Sequence, residues 1–536
     1  MDMRKIIAFT FLTLLGIVLL DCSNPGKETK APELTRAELF PENFAAMTAE
    51  ELAEGKRLAQ AYCASCHAYI EPEVFAKAYW QEKLLPGMSK YFGLRAIDLT
   101  FEDSVNPTAK ARIDSAAIFP TQATIDLETW SKIWRFYLTE APTQPTVGDR
   151  LDITETLNQF EVHPIPWKTG PHGVSYVKML GNQQIMVGNT LISGENDVLV
   201  INTDGETMIK QTIPSPLVSA VQDGDDWFLS FIGSFVGSDD PTGSIGQFSF
   251  NPASGENIMQ TLLDKRERPV NIQYQDFNQD QRKDWLISEF GKELGGLYLY
   301  LNQPEGPQKI PVQNRPGAIH TVIRDVNQDG LPDIYALVAQ GTEALYLYTN
   351  QGNGTFSEEK LLQFPPTYGS TFFELVDFDQ DGDEDILYSN GDSGDFGTPP
   401  KAFHGIRLFS NDESGAYTET WFLPQQGTYR AQAVDFDQDG DLDIAAVSYF
   451  AYVTGIPQEG FLYLENTGSD FQAHSFAEAK NSSWISMDIN DMDGDGDLDI
   501  VLGANTSVMP ENKMFQQLIQ WQESGGAVVW LENKLK

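Results

Sequence analysis

The chain has 536 residues, 77 Asp and Glu against 36 Lys and Arg, and a formal net charge of −41 at pH 7. That length allows more than one core, and such acidity excludes a nucleic-acid partner, because phosphate binding needs a basic face. Only three cysteines occur, Cys22, Cys63 and Cys66, with none in the 470 residues that follow, so no disulfide framework can hold the fold and each cysteine calls for a chemical task.

In chain order, Met1 to Lys5 is basic, Ile6 to Leu20 is apolar, and Cys22 follows at once. This predicts an export signal over 1–22, since the apolar run is short for a membrane span. Leu19-Leu20-Asp21-Cys22 resembles a bacterial lipoprotein lipobox, with Asp21 standing where a small residue is preferred. The resemblance implies lipidation of Cys22, attachment to the membrane through that lipid, and a place in the bacterial cell envelope, as a periplasmic or outer-membrane lipoprotein. Residues 23–42 are polar and Pro-containing and read as a flexible tether.

Thr48-Ala49-Glu50-Glu51 is a capping box, and Leu52, Gly55, Leu58 and Ala59 continue one helical face. The helix runs into Cys63-Ala64-Ser65-Cys66-His67. C-x-x-C-H is the attachment sequence for haem c: the two thiols bond the macrocycle covalently and the adjacent imidazole ligates iron. Between Ala68 and Arg150 there is one methionine, Met88, and no histidine, so Met88 is the expected second axial ligand, delivered by a loop at Pro86-Gly87. His/Met ligation favours electron transfer over O₂ chemistry. A second helix is predicted over Asp126 to Glu140, with Leu127, Trp130, Ile133, Trp134, Tyr137 and Leu138 on one stripe. Together these features resemble a small class I cytochrome c over residues 43–142, with one covalent haem.

Ala141 to Pro145 opens a linker taken as 143–157, and residues 158–536 read as a β-propeller. Residues 170–270 supply about two blades without special loops. Five aspartate loops follow. Their ligand positions 1, 3, 5 and 9 are Asp276, Asn278, Asp280 and Asp284; Asp325, Asn327, Asp329 and Asp333; Asp377, Asp379, Asp381 and Asp385; Asp435, Asp437, Asp439 and Asp443; and Asp491, Asp493, Asp495 and Asp499. Their first aspartates are 49, 52, 58 and 56 residues apart, a repeat period. Oxygen ligands so spaced suit Ca²⁺. An EF-hand is excluded, because position 12 is Ile287, Ala336, Tyr388, Ala446 and Leu502 rather than Glu. Loop one is expected to be weak: Gln281 replaces the glycine, and Arg282 and Lys283 add positive charge.

A strand, Ca²⁺ loop, strand, strand unit of this kind resembles the FG-GAP/VCBS family, the calcium-loop propellers that include the integrin α-chain head. The fold class expected is therefore multi-domain, a small all-α cytochrome c domain followed by an all-β, seven-bladed propeller with about four Ca²⁺ and a weak fifth. Phe160 to Ile165 is expected to supply the outer strand that the last blade lacks. The scattered His163, His172, His320, His404 and His474 suggest no second metal centre. Inserts at Gly391–Gly405, Tyr449–Glu459 and Asn505–Ser524 offer a binding face, with Tyr449, Phe450, Tyr452, Trp521 and 396–403 as aromatic contacts.

Three functions are open at this point. The favoured one is an electron-transfer cytochrome whose propeller docks a redox partner protein. The second is an adhesion or glycan-binding propeller with an accessory haem. The third is a propeller dehydrogenase feeding its own haem, for which no catalytic residue can be named. The haem motif favours the first, because C-x-x-C-H has one common use and propellers have many.

Overall fold

A computed structural model describes residues 34–96, 106–144, 151–168, 172–191, 194–393, 401–412, 415–452, 455–506 and 526–535. The export segment, Cys22 and Trp521 lie outside the described residues. No helix among the described residues is long and apolar enough to cross a membrane.

From Phe160 onward the chain forms seven antiparallel sheets. Their first strands are His172–Gly181, Leu217–Asp223, Pro269–Gln275, Ala318–Arg324, Ser370–Val376, Thr428–Val434 and Trp484–Asn490. Each first strand neighbours those of the blades on either side, and the seventh returns to the first. The result is a closed seven-bladed β-propeller. The second strand of each aspartate-loop blade, such as Asp333–Val338 or Asp443–Ser448, is buried at all six positions. Packed between neighbouring blades, these strands read as continuous apolar runs rather than alternating ones. Outer strands such as Phe356–Gln363 are mostly exposed.

Ring closure follows the expected route. Phe160–Pro164 pairs antiparallel with Val528–Asn533, with Phe160 opposite Asn533 and Val162 opposite Leu531. Blade seven thus takes its outer strand from the N-terminal side, which completes its four strands and closes the ring. The linker boundary needs correction. Ile153–Thr154 pairs in parallel with Phe471–His474 as a fifth strand on blade six, because Leu151 and Ile153 pack into the same apolar cluster as Phe471.

The α-helices among the described residues all lie before Ala141, and residues of 34–94 and 125–141 share one hydrophobic cluster. The helix Ala49–Cys63 has Thr48 as its N-cap, with the reciprocal Thr48–Glu51 capping box. It packs against Leu127–Glu140, capped by Asp126. A Cβ at Gly55 would fall 2.6 Å from Cβ of Phe136, so these helices approach too closely for any larger residue there. The aromatic stripe is core: Trp130 and Trp134 donate through Nε1 to the carbonyls of Leu39 and Pro41 at 3.0 Å each. Those bonds correct the tether, whose end from Leu34 is docked, with its own short helix Arg36–Leu39.

Sequence periodicity missed the helix Pro107–Ser115, which begins with Asn106 as cap and Pro107 in its first turn. The expected Met88 loop is also helical, a π turn over Trp80–Leu84 followed by Leu85–Ser89. Pro86 sits in the first turn of the latter, where its missing N–H costs no hydrogen bond.

Candidate functional site

Cys63, Cys66 and His67 come together at the C-terminal end of Ala49–Cys63, where the chain leaves the helix in a turn. Both thiols are free; Cys63 is half-buried and Cys66 exposed. Burial pushes the Cys63 thiol up to about 11. Nδ1 of His67 lies 2.8 Å from the carbonyl oxygen of Ala68. A carbonyl only accepts, so Nδ1 carries the proton and Nε2 keeps its lone pair, as a metal-ligating imidazole requires. The segment beyond is fixed by Tyr137, which donates to the carbonyl of Ile70 at 2.8 Å. Met88 is half-buried on its helical turn. The donor set, two unpaired thiols and an imidazole of defined tautomer within five residues, fits haem c.

The five aspartate loops each join a first strand to a second, so all lie on one face of the propeller. The structure divides them into two classes. In loops three to five, carboxylate oxygens of positions 1, 3 and 5 gather within 4.8 Å of one another: Asp377, Asp379 and Asp381; Asp435, Asp437 and Asp439; Asp491, Asp493 and Asp495. These are the only groups of three or more metal-ligating acidic, His or Cys side chains among the described residues. Buried oxygens there lack a hydrogen-bond partner: Oδ1 of Asp377, Asp435 and Asp441, and Oδ2 of Asp497. Orphaned, clustered carboxylate oxygens fit a hard cation. Burial first, then the neighbouring acids, raises Asp437 above the usual carboxylate range.

Loops one and two carry an asparagine at position 3 and, unlike loops three to five, no orphaned buried carboxylate oxygen, although position 1 accepts backbone N–H groups in all five. Asp276 accepts from the backbone N–H of Asn278, Asp280 and Gln281 at 3.3, 3.2 and 2.8 Å. Asp325 accepts likewise from Asp329 and Gly330 at 3.1 and 2.9 Å. Asn278 and Asn327 donate to Asp280 and Asp329 at 3.2 and 3.0 Å. Arg282 binds Asp280 through both its backbone N–H and its guanidinium, at 2.9 and 2.6 Å. The backbone hydrogen bond leads in holding the Asp280 carboxyl low. Position 6 needs a left-handed backbone, with φ of 83°, 102°, 103° and 101° at Gly330, Gly382, Gly440 and Gly496. Gln281 adopts φ 69° there, at a cost of roughly 1–2 kcal/mol.

The aspartate at position 9 has a role that its spacing did not reveal. In loops one to five its Oδ2 accepts the N–H of position 2, as from Val326 to Asp333 at 3.0 Å. Its Oδ1 accepts the N–H of an asparagine last or next to last in the third strand: Asn302, Asn350, Asn411, Asn466 or Asn533, at 2.7–2.8 Å. Each asparagine amide in turn donates to the carbonyl just before that aspartate, at 3.2–3.3 Å. Asp284, Asp333, Asp385, Asp443 and Asp499 therefore pin loop to blade, and do not join the clusters of positions 1, 3 and 5.

The helical region meets the opposite face, built from connections between second and third strands and between blades. Lys90 and Tyr91 reach the carboxylate of Glu293 at 2.7 and 2.8 Å. Arg112 binds Glu267 and the carbonyl of Asp239, the latter at 2.6 Å. Thr342 donates to the carbonyl of Cys66 at 3.0 Å, so the C-x-x-C-H turn itself touches the propeller. Tyr449 and Phe450, expected as surface contacts, are only 4% and 7% exposed, since they line a cavity at the propeller's centre. His163 pairs with Glu532 at 2.6 Å, and His474 with Glu465 at 3.1 Å.

No curated protein matches the sequence. Among solved structures, the chain is similar to a periplasmic gluconolactonase of Pseudomonas aeruginosa, at 12% identity over 56% of this chain and 83% of that one, with a TM-score of 0.37. A Lactobacillus plantarum protein aligns at 14% identity over 56% and 83%, with a TM-score of 0.36, and the Dos1 propeller at 12% over 68% and 79%, with a TM-score of 0.39. Residues 325–388, which hold loops two and three, match the model of the FG-GAP-like repeat. The protein is thus a seven-bladed β-propeller bearing an FG-GAP-like repeat.

Proposed function

We propose that this protein is a c-type cytochrome for electron transfer, anchored outside the cytoplasm by a lipid on Cys22, with a Ca²⁺-stabilised propeller as its docking module. The observation that carries the reading is the turn Cys63 to His67, with two free thiols and an imidazole whose Nε2 is left as an acceptor. Cys63 and Cys66 would hold haem c through thioethers, with His67 and Met88 as axial ligands. Bound there, haem supplies one-electron transfer. The chain's own part is to fix His67 through Ala68, to brace the following segment through Tyr137, and to seat the turn on Thr342. Ca²⁺ would be held mainly in loops three to five, with loop two weaker and loop one weakest. It is assigned a structural role, neutralising carboxylates that otherwise repel.

The test is expression with a haem-maturation system, followed by denaturing electrophoresis and haem staining. Haem should stay covalently bound, and Cys63→Ala with Cys66→Ala should abolish it. A wild-type chain that carries no covalent haem under these conditions overturns the cytochrome reading.

A further inference from the structure

The first strands of all seven blades enclose a cavity of about 550 Å³ on the propeller axis, within the range of small-ligand sites. Its upper wall includes Phe235, Phe290, Gln340 and Phe450, from connections on the face that meets the helical region. In a chain of net charge −41, the lining is unexpectedly cationic. Lys178, Arg268, Lys292 and Arg430 face it, against the two carboxylates Asp392 and Asp488.

Most of these charges already have work. Asp488 accepts from Lys178 Nζ and from the backbone N–H of Met179, at 2.8 Å each. Arg268 donates to the carbonyls of Ser234, Gly291 and Phe235 at 3.0, 2.9 and 3.1 Å. Arg430 differs. Its guanidinium makes no hydrogen bond among the described residues, and its Nε is buried without a partner. Cζ lies 4.6 Å from the centroid of Phe372, whose ring also meets His320 in a tilted contact at 4.4 Å. Asp488 and Glu374 act on Arg430 only through space, and Glu374 is occupied by the N–H of Ala433 at 2.8 Å. Arg430 is half-buried and lines the cavity, so its terminal amines are open to the cavity and, with no hydrogen-bond partner among the described residues, free to receive an anion.

We propose that this cavity binds a small organic carboxylate, received by the Arg430 guanidinium, with its apolar body beside Phe372 and the aromatic mouth. A planar guanidinium matches a planar carboxylate bidentately. The volume suits a single ring or short chain, and the mixed walls suit an anion with an apolar part. The inference goes beyond the cytochrome reading and does not need haem, so either can fail alone.

The full chain, purified with Ca²⁺, would be titrated calorimetrically with benzoate, with succinate and with the neutral isostere benzamide. At least one carboxylate should bind saturably at one per chain, and benzamide about tenfold or more weaker than benzoate, if benzoate is the one bound. Arg430→Gln should weaken carboxylate binding by about tenfold or more, and Arg430→Lys should keep part of it. The wild-type comparison stands whether or not the variants fold. No saturable binding of either carboxylate at millimolar concentration, equal binding of benzamide and benzoate, or a folded Arg430→Gln that binds like the wild type would each overturn the proposal.

Discussion

The effect of replacing Asp437 on stability should depend on whether Ca²⁺ is present. In loop four the oxygens of Asp435, Asp437 and Asp439 lie within 4.8 Å of one another. Two unit charges at 4.8 Å repel by about 3.5 kcal/mol at an effective dielectric of about 20. Solvent around the exposed Asp439 reduces its share. Without a cation, Asp437→Ala removes two such repulsions and loses one hydrogen bond, the 3.2 Å contact from the N–H of Asp439, worth about 1 kcal/mol. The chelated variant should therefore be as stable as the chelated wild type, or more so. Ca²⁺ at a hundredfold excess over Kd adds about 2.7 kcal/mol to the wild type at this site and not to the variant, so adding Ca²⁺ should lower the variant's stability relative to the wild type by about that amount. Asp280→Ala should show neither effect, because Arg282 already answers that carboxylate. The assay is thermal and denaturant unfolding in Ca²⁺ and in chelator, with bound Ca²⁺ counted by equilibrium dialysis. Asp437→Ala should lose about one bound Ca²⁺ per chain. Equal destabilisation in both buffers would refute the repulsion argument, and equal Ca²⁺ loss at Asp280 would show loop one to be a full site.

Met88→Ala should keep covalent haem but lose the sulfur-to-iron charge-transfer band in the oxidised spectrum; a band that survives excludes Met88 as the ligand. Cys22→Ala should move the protein from the membrane fraction to the soluble envelope fraction or block its processing, and unchanged fractionation would exclude lipid attachment there. Glu343 is buried and accepts from the backbone and hydroxyl of Ser370 at 3.0 and 2.6 Å; burial raises its carboxyl from 4.5 to about 7. The native state then keeps a proton that the unfolded chain releases between pH 4.5 and 7, so stability should fall as pH rises through that window, by about 3 kcal/mol in all. Glu343→Gln should flatten this part of the profile, and an unchanged slope would assign the pH dependence to other groups.

What the sequence disclosed was whatever is local. Thr48 with Glu51, the C-x-x-C-H turn and the spacing inside each aspartate loop are short patterns; Thr48 caps its helix, Cys63 to His67 form one turn, and positions 1, 3 and 5 gather in loops three to five. The pin between position 9 and the third-strand asparagine is equally regular in space but not along the chain. The two residues are separated by 18, 17, 26, 23 and 34 positions in successive blades, because the intervening connections differ in length. No fixed-period reading can find such a pair, although an asparagine stands last or next to last in the third strand every time. Ile153–Thr154 was hidden for the same reason, since its only strand partner is some 320 residues away. Arg430 carries no motif at all; it stands out only once seven strands bring its neighbours together.

The two faces of the propeller therefore divide the work in a way that chain order conceals. Each aspartate loop follows a first strand, and each docking contact to the helical region comes from a connection at the other end of the strands. Loss of the proposed Ca²⁺ would act first on the loop face, where carboxylates would be left to repel. It can reach the C-x-x-C-H turn only through the blades, by disturbing the docking contacts at Thr342, Glu293, Glu267 or Asp239. Thr342 follows the second strand of blade four, whose loop has no orphaned buried carboxylate oxygen, and Glu293 belongs to blade three, whose loop has none either and adds Arg282. The blades that carry the helical region are thus those that depend least on metal. Chelation should weaken blades five to seven while the docked turn stays seated. A carboxylate in the axial cavity sits between the two faces, beside first strands from both classes of blade, and is the one ligand here that would feel the loss of Ca²⁺ directly.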